Sequence, residues 1–101
     1  MYYHEGWGKA MNKIHKYPLP DYGMGEKPVK MPKKARILMV GIQKHKPFIW
    51  AIVDPKHPCI SRVFVIASTG FDTIPTNYHH IGSFIDDSIG FVGHVFEVLK
   101  K

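Results

Sequence analysis

The sequence predicts an all-β fold: a single small antiparallel β-sandwich or partly closed barrel of about five to seven short strands. Three observations predict it. Five short runs, Ile37–Ile42, Phe48–Val53, Ile60–Ala67, Tyr78–Ile85 and Phe91–Leu99, are rich in the β-branched and aromatic residues that fit a pleated, half-buried surface. Turn signals cut them apart at Lys44–Pro47, Asp54-Pro55, Thr69-Gly70 and Asp86–Gly90. No stretch of about ten residues carries an apolar stripe at helical spacing.

Taken in order, residues 1–12 read as an N-terminal extension and 13–101 as one β-domain. His15–Tyr17 is a short extended piece stopped by Pro18 and Pro20. Leu19–Pro32 is a Gly- and Pro-rich crossing with an edge strand at Val29–Met31. In Ala35–Gln43 and Phe48–Val53 both alternating faces are apolar. That predicts two central strands covered on both sides, with Phe48 and Trp50 in the core. Ile60–Ser68 sets Val63, Val65 and Ala67 against Arg62, Phe64 and Ile66. Tyr78–Ile85 is weaker, with Gly82 inside it. Phe91–Leu99 places His94 between Val92 and Phe96, where a buried, hydrogen-bonded core histidine is expected. The short connections predict an antiparallel meander. A short helix fits only in 1–12 or 71–78.

A chain of 101 residues makes one domain and buries about two-thirds of its unfolded surface, enough for a core without staples. The single cysteine, Cys59, excludes an internal disulfide and fits a reducing compartment, where it reads as a small packing residue. No run is long enough for a membrane-spanning helix. The first fifty residues hold ten Lys or Arg against three Asp or Glu, and the rest hold four against five. The basic excess therefore lies wholly in the first half. It predicts a binding rim of Lys33, Lys34, Arg36, Lys44 and Lys46 facing an anionic partner. The same lysines would also guard strand edges against pairing.

Chemistry is harder to find. Seven histidines invite a metal, but none sits at a helical ligand spacing. His79 and His80 are adjacent and point to opposite faces of a strand. His57 with Asp54 is the nearest approach to a mixed site. Ser61, Ser68 and Ser83 lack a nucleophile elbow, and Asp86-Asp87 sits in a turn that wants Asp for backbone reasons. Gly23-Met24-Gly25 lacks the strand and helix that a phosphate loop needs. No catalytic residue, metal ligand or cofactor is assigned. The expected role is binding rather than conversion.

The string Ile14-His15-Lys16-Tyr17-Pro18-Leu19, then Met31-Pro32, Ala35-Arg36-Ile37-Leu38, Trp50-Ala51-Ile52-Val53-Asp54-Pro55, Thr69-Gly70, Ile81-Gly82-Ser83-Phe84 and His94-Val95-Phe96-Glu97, resembles a family of small uncharacterised proteins of bacteriophages and prophages. The resemblance implies an accessory protein in the cytoplasm of an infected bacterium, modulating host function, with counter-defence the expected role. The expected partner is a host protein or an anionic, nucleotide-type ligand, with a homo-oligomer compatible with either. A nucleic-acid-binding module using the basic first half is the alternative, and a small hydrolase the second.

Overall fold

The computed structural model describes residues 12–70 and 73–100, all strands, turns and loops. Seven strands follow in order: β1 (Lys13–Pro18), β2 (Gly23–Pro32), β3 (Arg36–Gln43), β4 (Lys46–Val53), β5 (Cys59–Ser68), β6 (Tyr78–Asp86) and β7 (Phe91–Val98). They form two sheets, β1-β4-β3 and β2-β5-β7-β6, with every pair antiparallel. The sheets stack as a sandwich and do not close into a barrel, which resolves the two architectures the sequence left open.

The path is not the expected meander. β4 returns to pair with β1, and β7 inserts between β5 and β6. The link from β5 to β6 spans positions 69–77, long enough to step over the place that β7 fills. Among the described residues only β3–β4 and β6–β7 are hairpins. The first closes on Lys44 and His45, with φ of 52° and 65°. Two positive φ values in a two-residue loop make the turn whose twist suits paired strands, though neither residue is the usual Asn or Gly. The helix considered for 71–78 does not form among the described residues; the extension read as 1–12 lies outside them apart from Asn12.

Alternation builds the core. On β4, Pro47, Ile49, Ala51 and Val53 are buried while Phe48, Trp50 and Ile52 are only half-buried. The buried set meets Phe64 and Ile66 of β5, Val95 of β7, Phe84 of β6 and Met31 of β2. Fully burying each large member contributes about 1.5–3 kcal/mol. Two glycines mark where packing leaves no room. A Cβ on Gly93 would sit 2.5 Å from Cζ of Phe84, and one on Gly82 2.9 Å from Cγ2 of Val40. Gly82 lies where β6 passes β3, so it lets the edges of the two sheets approach.

Three expectations are corrected. β3 is an edge of its sheet, not a central strand. Phe48 and Trp50 face outward from the three-stranded sheet, because their alternate neighbours fill the core. Cys59 is exposed at the start of β5 rather than packed.

Candidate functional site: a basic groove and an aromatic sheet face

The five rim residues do not form one patch. Lys33 and Lys34 lie in the β2–β3 turn, where Ala35 N donates to Pro32 O at 3.1 Å, and Arg36 opens β3. Lys44 and Lys46 lie at the other end of the same strand, roughly 25 Å away at about 3.4 Å per residue. Each end contributes to a different concavity.

The larger is a groove of about 570 Å³ between β3 and β6. Lys34, Arg36 and Met39 form one wall, His79 and Ile81 the other, with Arg62 and Glu97 in the floor. Arg62 shares the inward parity of Phe64 and Ile66, so its charge needs a partner. Glu97 supplies it: Nε and Nη2 of Arg62 donate to the two carboxylate oxygens, each at 2.8 Å. Nη1 of Arg62 also donates to the carbonyl of Ala35 at 2.7 Å, tying β5 to the start of β3. Among the described residues Glu97 is the groove's one lining carboxylate, and the pairing neutralises it. Lys34 and Arg36 form no ion pair among the described residues. Lys34 is held at φ 69°, a strained setting for a residue with a Cβ.

The second concavity opens onto the outer face of β1-β4-β3. Register fixes its rows: Arg36–Ile52–Ile14, Met39–Trp50–Lys16 and Gly41–Phe48–Pro18. Paired residues share a face. Gly41 lies under Trp50, whose Cζ3 would be 3.6 Å from a Cβ there. The Phe48 and Trp50 rings are tilted at 58° with centroids 6.0 Å apart. Nζ of Lys16 sits 4.6 Å over the Phe48 ring and donates to Oε1 of Gln43 at 2.7 Å. Lys16, Gln43, Lys44, Lys46 and Phe48 line a hollow of about 370 Å³ here. The three strands contain Lys13, Lys16, Arg36 and Lys46 and no Asp or Glu.

On the outer face of the other sheet, polar groups satisfy one another. His94 is hydrogen-bonded as expected, but on this outer face rather than in the core. Its Nε2 is 2.7 Å from Oγ1 of Thr69 and its Nδ1 2.8 Å from Oγ of Ser83. Nε2 of His80 reaches the same Ser83 oxygen at 3.1 Å. Oη of Tyr78 donates to Glu26 at 2.9 Å, and burial with that bond raises the phenol's pKa. At the far end of β6, Tyr22 donates to buried Asp86 at 2.9 Å and stacks on Phe91 at 4.1 Å. Burial, then the Asp86 bond and charge, push the Tyr22 phenol up to about 12. Hydrogen bonds from Ser88, then the Tyr22 bond, lower the Asp86 carboxyl despite its burial.

His57 does meet Asp54, at 3.7 Å, but within a turn where its Nδ1 also reaches Lys33 O at 2.9 Å. Glu97 faces Arg62. Among the described residues no group of three His, Cys, Asp or Glu could hold a metal ion. Sequence reasoning missed Arg62 and the outward aromatics. An Arg in phase with Phe64 and Ile66 was one signal. Lys46 in phase with Phe48, Trp50 and Ile52 was the other, because a lysine marks the wet side of a strand.

The fold and its surfaces define a small two-sheet β-sandwich with cationic concavities. The chain belongs to the family described as "Domain of unknown function (DUF7352)", whose model matches residues 11–101. No curated protein and no solved structure matches it. No helix among the described residues is long and apolar enough to cross a membrane.

Proposed function

We propose that this protein is a non-enzymatic binding protein that takes a phosphorylated nucleotide in the groove between β3 and β6. One observation carries the reading: among the described residues Glu97 is the one carboxylate lining the groove and it spends both oxygens on Arg62, so the lining cations Lys34 and Arg36 meet no described counter-charge there. A polyphosphate seats against them and His79, while Leu38, Met39 and Ile81 offer apolar surface to the base. The volume lies within the range of small-ligand sites. In the phage setting that the resemblance implies, such a protein would act in the host cytoplasm by withholding a nucleotide, as a counter-defence factor.

The test is isothermal titration calorimetry with adenosine triphosphate. Binding that weakens at least tenfold in Lys34→Ala and His79→Ala, and not in Lys46→Ala, is the expected result. Equal loss in all three variants would reduce the groove to a share of general surface charge. Absence of binding, with no retained nucleotide in native mass spectra of the purified protein, would remove the reading.

A further inference from the structure

The outer face of β1-β4-β3 has features that the groove reading does not use. It presents two aromatic rings half-open to solvent, an exposed Ile14 and Met39, and cations along its margins. Sheet faces in small proteins of this kind are expected to alternate apolar-in with polar-out. Here the outward positions of the central strand, after Lys46, are Phe48, Trp50 and Ile52. An aromatic strip of this sort costs solubility unless something covers it.

We propose that this face binds single-stranded nucleic acid, with a base stacking on Trp50, Phe48 flanking it beneath Lys16, and phosphates running past Lys16, Lys46 and Arg36. Charge chooses the occupant. The three strands contribute no carboxylate, so a polyanion meets no repulsion along them. Chemistry narrows it further. Every base offers a π-face, and stacking on protein aromatics is tolerant of sequence. The paired rows Met39–Trp50–Lys16 and Gly41–Phe48–Pro18 place each ring between a small or flexible neighbour on one side and β1 on the other. Gly41 has no Cβ to lift Trp50 off the sheet: Cζ3 of Trp50 and Cε of Met39 lie 3.6 and 3.5 Å from where one would stand. A duplex, with its bases already stacked, cannot use these rings.

This site does not depend on the groove. Arg36 and Met39 belong to both, but Trp50 and Lys16 belong to this face alone and Lys34 and His79 to the groove alone.

Fluorescence anisotropy of a labelled fifteen-nucleotide oligothymidylate (about 15 residues, enough to span one such site) tests the proposal on the full chain. Expected is binding at least tenfold tighter than that of a duplex or a polyglutamate peptide of equal length. The logarithm of affinity should fall against the logarithm of salt with a slope of about −2, as for three phosphate contacts. Trp50→Ala should weaken binding at least tenfold and Lys34→Ala should not. Should Trp50→Ala fold poorly, Lys16→Glu, on the surface, must produce the same loss. Duplex or polyglutamate binding as tight as the oligonucleotide overturns the proposal, because it makes the rings irrelevant and admits an acidic protein instead. So does undiminished binding in Lys16→Glu, or no binding at all. Loss in Lys34→Ala with Trp50→Ala unaffected would transfer the oligonucleotide to the groove and leave only the nucleotide reading standing.

Discussion

In the four-stranded sheet, charged and polar side chains meet partners within the fold: Arg62 with Glu97, Tyr78 with Glu26, His94 with Ser83 and Thr69. In the three-stranded sheet, Lys16, Arg36 and Lys46 meet no carboxylate among the described residues, and Lys16 rests on a neutral amide and an aromatic ring. The first sheet uses its polar chemistry to hold the molecule together. The second leaves its cations at the surface, beside rings that the core did not take. Stability and binding should therefore separate by sheet, and substitutions can test that division.

The largest expected effect is on the stability side. Phe64→Ala empties a fully buried position in the four-stranded sheet and should cost about 4 kcal/mol, read as a fall in the urea midpoint. Trp50→Ala removes a larger side chain from the outer face of the other sheet, yet should cost only about 1–2 kcal/mol because Trp50 is half-buried. Equal losses would break the comparison.

A smaller effect is expected at the ion pair. Glu97→Gln leaves the Arg62 charge without its counter-charge at a site where both side chains are mostly buried, at 19% and 15% exposure. About 2–3 kcal/mol should be lost in the same assay. Lys16→Met should change stability by less than about 0.5 kcal/mol. A large loss there would mean that the surface cations also hold the fold.

The smallest effect is in the pH dependence. Folding raises the Tyr22 phenol from 10.0 to about 12, so the folded state prefers it protonated. Its contribution is fully present below pH 10 and is lost as pH climbs towards 12. Asp86 works at the other end: its lowered pKa stabilises the fold above the ordinary value of 3.8 and the gain disappears as pH falls below it. Tyr22→Phe should flatten the alkaline limb of a stability-against-pH curve and weaken the acid one. An unchanged alkaline limb would detach Tyr22 from that behaviour.

Much of the fold was legible in the chain. Four of the five apolar runs lie within strands and the fifth overruns β7 by Leu99 alone, the Asp86–Gly90 stretch links β6 to β7, and the all-β class follows from their composition and spacing. The order of strands was not legible, since antiparallel pairing does not require neighbours in sequence. Of the candidate site, the cations were visible but their grouping was not: Lys34 and Lys46 are close along the chain and a strand apart in space. Phe48 and Trp50 were visible as aromatics but misplaced. With both faces of a strand apolar, alternation states that two faces exist without saying which is buried.

Sequence by itself determined that this protein is built from strands, that its basic charge is concentrated in its first half, and that Arg62 shares a strand face with Phe64 and Ile66. Those are local facts of side-chain type and period. Tertiary structure alone decided that the face carrying Phe48 and Trp50 looks outward, that Glu97 neutralises Arg62, and that a groove opens between β3 and β6. Each of these depends on which sheet a strand joins, a choice made by the packing of residues far apart in the chain.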